Sequence, residues 1–366
     1  MASARGLLVI AAGRTTRVTY WTGWLSPEME GCSREVFALT DHFPRSRVFG
    51  LSRHYGIKVS RRRRYLGLHV RLYALFRLLA PLWDATSEVN HIYGSLNEWF
   101  FLRALRRRPI MLTVATSAEP LDRGAYAHVR RFVTHSEQTT KQLVALGFPA
   151  DRISLLYPGV ELGLFRPVPR GDAMPLPGPW PPADRFRVVF ATTPNWKEGI
   201  RIRGVQLILD AARHLPDVDF YLLWRPWAGA EQLIADIRAT APSNVRFSLG
   251  LVPDMAAVYQ AADATIAPFI SQEGTKICPT SLIESLACGR PLLVSSQVGI
   301  SDLIRSEECG VVFAPTVGGL CDGVRELQRR HTLYAANARP CAERHFDLTR
   351  CCQQHEDLYA EVLRRC

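Results

Sequence analysis

Short apolar runs suited to buried strands alternate with longer stretches whose apolar residues recur every three or four positions. In the first half the pattern predicts a strand at Val18-Thr19-Tyr20-Trp21, a loop holding Gly23 and Gly31, and a helix from about Ser33 to His42. A strand at Arg47-Val48-Phe49-Gly50 follows, then one at Val89 to Tyr93, a helix around Glu98 to Leu105, and a strand at Ile110 to Val114. Strand and helix in turn predict a parallel sheet covered on both faces. Between them, Leu68, Leu72, Leu75, Leu79 and Leu82 fall at helical spacing over Tyr65 to Trp83, interrupted by Arg71 and Arg77. That stretch is read either as a core helix or as one lying on a membrane.

Residues 166 to 185 hold seven prolines and can form neither an interior strand nor a helix. Beyond this linker the alternation restarts. It predicts strands at Val188 to Phe190, Phe220 to Trp224, Val245 to Phe247 and Thr265 to Ala267, with helices at Val205 to His214, Glu231 to Arg238 and Met255 to Ala261. From Leu320 to Arg365 the chain reads as consecutive helices broken near Pro340 and Asp347. The expected organisation is an N-terminal domain at 1–165, the linker at 166–185, a C-terminal domain at 186–345 and a last helix at 346–366. Two doubly wound domains in tandem place a ligand between them, at the carboxyl ends of their strands.

The 366-residue length supports two cores, and 47% hydrophobic with 22% charged residues is a globular composition. Charge is divided unevenly. Residues 1–150 carry 22 Lys+Arg against 10 Asp+Glu, net +12, whereas residues 151–366 carry 23 against 24, net −1. A basic half implies an anionic partner such as a phospholipid surface or a lipid pyrophosphate. No nucleic-acid-binding pattern accompanies it, so nucleic acid is not expected. The cluster Arg61-Arg62-Arg63-Arg64 is the candidate patch for an anionic membrane or acceptor. Nine cysteines without framework spacing fit a reduced, cytoplasmic setting, peripheral to a membrane at most. The Met1 to Ala12 leader is short for a signal sequence.

The densest chemistry lies in Pro279-Thr280-Ser281-Leu282-Ile283-Glu284-Ser285-Leu286-Ala287-Cys288-Gly289, followed by Arg290-Pro291 and the apolar run Leu292 to Val294. Pro279 suits a helix start, Thr280 and Ser281 set hydroxyls beside the free amides there, and Gly289 ends the helix. Such a terminus binds phosphate oxygens, and Glu284, one turn on, is placed to take hydrogen bonds from a vicinal diol such as a ribose.

This segment resembles the nucleotide-sugar signature of the retaining GT-B glycosyltransferases, family 4 in particular. Ser136-Glu137-Gln138, the helix to Leu146-Gly147, Arg152 to Glu161 and Phe165-Arg166-Pro167 resemble the last strand of that family's N-terminal domain and its turn into the interdomain region. The resemblance covers roughly residues 85 to 345. It implies a GT-B fold of two Rossmann-like domains facing across a cleft, with C-terminal helices that cross back. It also implies sugar transfer from a nucleoside-diphosphate-sugar, here to a lipid-linked or cell-envelope glycan acceptor, with no cofactor and no metal.

Carried onto this chain, the family's basic residue before a glycine is Arg203-Gly204, a pyrophosphate ligand, and Lys197 and Arg225 are expected beside it. Glu284 would hold ribose, and the Thr280, Ser281 and Leu282 backbone would hold phosphate. Gly31, with Glu30 and Ser33, would form the loop near donor or acceptor. Two departures matter. The family pattern of two acids seven residues apart has Lys276 in its first place, and Glu273 lies three residues too early to replace it. The histidine usual after the fourth strand is missing from Thr113-Val114-Ala115-Thr116-Ser117, which leaves His91 as the substitute candidate and Lys276 as a second catalytic candidate. These departures keep two other readings open, a nucleotide-binding scaffold subunit without catalysis and a sugar-nucleotide epimerase. Asp217-Val218-Asp219 matches a metal-binding pattern of the other glycosyltransferase fold, but it begins a strand away from the expected crevice.

Overall fold

A computed structural model describes residues 16–53, 56–61, 64–168, 185–194 and 197–364. The Met1 to Ala12 leader, Arg62, Arg63 and most of the proline-rich linker lie outside these residues. The N-terminal sheet contains β1 (Val18–Thr22), β2 (Arg47–Ser52), β3 (Lys58–Ser60), β4 (Tyr65–His69), β5 (Val89–Gly94), β6 (Ile110–Val114), β7 (Val129–Thr134) and β8 (Ile153–Leu155), in spatial order 3-4-2-1-5-6-7-8. The C-terminal sheet contains β9 (Phe186–Phe190), β10 (Val218–Trp224), β11 (Val245–Leu249), β12 (Ala264–Ala267), β13 (Leu292–Ser295) and β14 (Gly310–Phe313), in order 11-10-9-12-13-14. Every pairing is parallel except β3 on β4. Central strands such as Val188-Val189-Phe190 are wholly buried, because helices cover both faces of a parallel sheet. In each sheet the order reverses beside the first strand, β1 or β9, and the crevice opens at the carboxyl edge there.

These two edges meet. The Ile277 amide donates to the Ala115 carbonyl at 2.9 Å and the Ser117 amide to the Thr275 carbonyl at 3.0 Å, so Thr116 and Lys276 form an antiparallel bridge between the domains. Two expectations need correction. Tyr65 to Trp83 is not one helix: Tyr65–His69 pairs in parallel with β2 and only Tyr73–Thr86 is α-helical. Strand pairing overrides the leucine spacing, and Gly67 admits Leu25, whose Cδ1 would lie 2.4 Å from any Cβ at that position. Nor does Pro340 break the C-terminal region. Helix His331–His345 runs through it, held by buried Ala338, Cys341 and Ala342 against the helix Thr280–Ala287, and the breaks fall at Arg330 and at Phe346-Asp347.

After that second break the helix Leu348–Arg364 crosses back onto the N-terminal sheet, as the resemblance implied. Val160 joins it through bonds with Phe346 and Leu348, Tyr359 and Val362 enter the N-terminal core, and Arg131 pairs with Glu361. The Tyr359 hydroxyl bonds Tyr20 at 3.0 Å and His91 at 2.8 Å. The described cysteines form no disulfide, and Cys278 and Cys288 are small buried side chains beside Thr280–Ala287.

His91, His135 and His355 are all buried, and burial pushes each imidazole pKa down, His355 to about 4. Such a histidine stays neutral when folded but protonates near pH 6.5 when unfolded, so its contribution is present above 6.5 and lost as pH falls towards 4. Glu98, whose pKa burial raises to about 7, titrates with the opposite sign, so a difference measurement is needed. The stability lost in His355→Asn, from urea midpoints, should be largest at pH 7 and shrink by pH 5. A difference that does not change with pH would refute the assignment.

Candidate functional site

The helix Thr280–Ala287 begins where the sequence places it. Pro279 caps it with extended backbone, and Gly289 ends it at φ 72°, in the left-handed region. Thr280 and Ser281 line an interdomain cavity of about 380 Å³. Leu282 does not reach it: its side chain is buried and its amide is already donated to the Pro279 carbonyl at 3.0 Å. The cations of this cavity are Arg203, Arg225 and Lys276.

Arg203 is positioned by its neighbour. Gly204 has φ 71°, and a Cβ there would sit 1.9 Å from the Pro268 carbonyl oxygen, so only glycine lets this turn approach β12's end. Arg225 follows β10, and its amide donates to Thr193 at 2.9 Å. Burial, and then the charge of Arg225, hold the Arg203 pKa down to about 10; burial lowers that of Arg225 as well. Two guanidinium groups that remain charged and line one pocket are suited to an anion. Lys197 opens the short helix Lys197–Ile202, is exposed and lines neither this cavity nor the second one described below.

The N-terminal domain closes the other wall through the helix Gly31–His42. Gly31 is required for close approach: a Cβ there would lie 2.6 Å from Thr280 Oγ1 and 3.1 Å from Lys276 Nζ. The next turn delivers two charges to the C-terminal domain. Arg34 reaches Glu284 Oε1 at 2.7 Å, and Glu35 pairs with Lys276. Glu284 also accepts the Tyr259 hydroxyl at 3.1 Å. Burial raises its pKa against the pull of Arg34 and Tyr259. It lines neither cavity, because Arg34 stands in front of it.

Arg34 borders a second cavity, of about 620 Å³, which the sequence reading missed. Its walls are the end of β10 at Leu223 to Arg225, the apolar loop Leu251-Val252-Pro253 after β11, and Pro27 and Glu28. Arg225 and Ala191 border both cavities. The missed signal was that loop, apolar although it lies at a carboxyl edge. His91 is corrected: it is fully buried in β5, with Nε2 on Thr113 at 2.7 Å and Nδ1 on Tyr359, and no histidine is among the described residues lining either cavity. Its side chain falls on the sheet face that the last helix covers. Of the basic patch, Arg61 is exposed, while Arg64 turns inward to the Thr40 carbonyl at 3.1 Å. Asp217 is tied to Arg325 and Asp219 to Arg185, away from the cleft.

The family "Glycosyl transferases group 1" matches residues 187–330. D-inositol 3-phosphate glycosyltransferase of Paenarthrobacter aurescens is 26% identical over 232 residues, 57% of this chain and 53% of that protein. A protein of the same name from Catenulispora acidiphila is 27% identical over 197 residues, 50% of this chain and 44% of its own length. The chain thus spans about half the length of the curated relatives it matches. Among solved structures, sucrose-phosphate synthase of Thermosynechococcus elongatus superposes with TM-score 0.75 at 15% identity, over 96% of this chain and all of that one. Anabaena HepE, solved with UDP, gives 0.73 at 14% identity, over 94% of this chain and 100% of its own. The chain has the GT-B fold and resembles the group 1 glycosyltransferases.

In this GT-B chain Gly204, next to Arg203, makes the tightest backbone approach of the described glycines. Gly204→Ala should cost about 2–5 kcal/mol, from a strained φ plus the Pro268 clash. Chemical denaturation checks this; a cost below about 1 kcal/mol would contradict the geometry.

Proposed function

We propose that this protein is a glycosyltransferase that moves a sugar from a nucleoside-diphosphate-sugar in the interdomain cleft to a lipid-linked or cell-envelope glycan acceptor. The observation that carries this reading is the half-buried pair Arg203 and Arg225, lining one cavity with the start of Thr280–Ala287, beside a second cavity that shares Arg225 and Ala191. The UDP and UDP-glucose in the HepE structures support a nucleotide-sugar partner. The nucleoside occupies the larger cavity, with its ribose on Glu284 once Arg34 moves aside. The pyrophosphate lies between Arg203, Arg225 and the first amides of the helix, and the sugar lies towards Lys276.

Transfer is retaining and needs no metal. As the anomeric carbon–oxygen bond breaks, the leaving phosphate oxygen takes the acceptor's hydroxyl proton, and the acceptor oxygen bonds the same face of the sugar. The cations and helix terminus stabilise the charge that builds on the leaving group. A route through the leaving phosphate suits a cleft whose described lining holds no histidine. The same observation favours a second reading, a nucleotide-binding subunit without transfer, which saturable binding with no turnover would support.

Calorimetric titration of UDP, GDP and ADP into wild type and Glu284→Ala tests the donor site. One diphosphate should bind selectively and about tenfold or more weaker to the variant, in line with a lost charged hydrogen bond of about 1.5–3 kcal/mol. Absence of binding by all three would refute the reading.

The acceptor side is proposed to meet an anionic membrane peripherally. Leu75, Leu78 and Leu82 lie exposed along Tyr73–Thr86 with Arg77, in the half of the chain that carries the positive excess. Among the described residues no helix is long and apolar enough to cross a membrane. Vesicles rich in phosphatidylglycerol should float the protein and phosphatidylcholine vesicles should not, and Leu78→Glu with Leu82→Glu should abolish flotation. Failure on both vesicle types would remove the membrane from the proposal.

A further inference from the structure

The sugar end of the cleft contains a cation that is already answered. Lys276 lines the 380 Å³ cavity, yet its ammonium donates to Glu35 and, at 2.6 Å, to Thr280 Oγ1. Glu35 comes from the other domain and is fixed at its second oxygen by the Tyr93 hydroxyl at 2.5 Å. Its side chain is 5% exposed and that of Lys276 14%, so water does little to weaken the pairing. A second carboxylate, Glu30, lines the same cavity, held by Ser33 at 2.6 Å and by the Ser26 amide. Lys276, Glu35 and Glu30 together carry a net charge of −1.

We infer that Glu35, supplied by the N-terminal domain, is a specificity-determining residue that turns the Lys276 end of the cleft into a site for an uncharged donor sugar. Lys276 alone would attract a uronic acid carboxylate; paired with Glu35 it offers its remaining N–H to a hydroxyl, while Glu30 on the cavity wall accepts from a hydroxyl and the two negative charges together disfavour an anion. Because Glu35 and Lys276 belong to different domains, the selective surface exists only when the cleft is closed. Glu35 acts through Lys276 and is a positioning residue. This inference rests on the reading of the cleft as a nucleotide-sugar site.

The test is calorimetric and does not require turnover. For a uridine-selective protein the probes are UDP, UDP-glucose and UDP-glucuronate; for a guanosine-selective one, GDP, GDP-mannose and GDP-mannuronate; for an adenosine-selective one, ADP, ADP-glucose and ADP-glucuronate. Wild type should bind the neutral sugar nucleotide at least tenfold more tightly than the uronate. Glu35→Gln, which keeps the shape and removes the charge, should bring the two within threefold or reverse them, each affinity taken relative to that of the diphosphate for the same protein. Wild type that binds the uronate as tightly as the hexose, or a variant with the original ratio, would overturn the inference while diphosphate binding remains intact. Should Glu35→Gln not fold, the wild-type ratio decides by itself. Loss of diphosphate binding in wild type is a separate outcome, which refutes the donor site and this inference with it.

Discussion

Two ion pairs of opposite polarity fasten one turn of helix from the N-terminal domain to the signature segment of the C-terminal domain: Arg34 on Glu284 and Glu35 on Lys276. Glu284, Glu35 and Lys276 are largely removed from water, where an unpaired charge costs several kcal/mol. Each of these charges has a hydroxyl partner in its own domain, but its opposite charge comes from the other domain. Where the domains meet, these charges are buried in pairs. The geometry of the site thus depends on how the domains meet, and Gly31 is the residue that lets them meet so closely.

The same contact has a consequence for ligand entry. Glu284 accepts from both Arg34 and Tyr259, so a diol that is to bind it must first displace a guanidinium. Arg225 borders both cavities. With Arg203 it sets two guanidinium groups on one cavity wall, and the charge of Arg225 lowers the Arg203 pKa. A helix terminus adds its own partial charge from the facing wall.

The last helix performs a different task. By crossing back it covers the face of the N-terminal sheet that presents Tyr20 and His91, and its Tyr359 satisfies both. A histidine in the middle of a parallel strand needs a partner for each ring nitrogen. Thr113 supplies one from the neighbouring strand and Tyr359 the other from the far end of the chain. The crossing therefore holds the domains together from behind while the ion pairs hold them across the cleft.

Much of this was legible in the residues alone, where local chemistry decides the outcome. Apolar runs marked β1, β2, β5, β6 and most of the second sheet, and Pro279 and Gly289 marked the ends of the signature helix, whereas Arg203-Gly204 was singled out only by the family resemblance and its glycine-only turn became visible in the fold. What remained hidden depended on partners distant in the chain. The leucines after Arg64 have helical spacing, but Tyr65–His69 is a strand because β2 offers it a pairing edge. His91 looked available until a residue 268 positions away was brought onto its ring. Lys276 looked like an unanswered cation because its carboxylate lies 241 residues earlier, in the other domain. Short-range patterns determine which elements form; which charges and hydroxyls find one another is decided only when the two sheets close, because those pairings are set by distance in space and not along the chain.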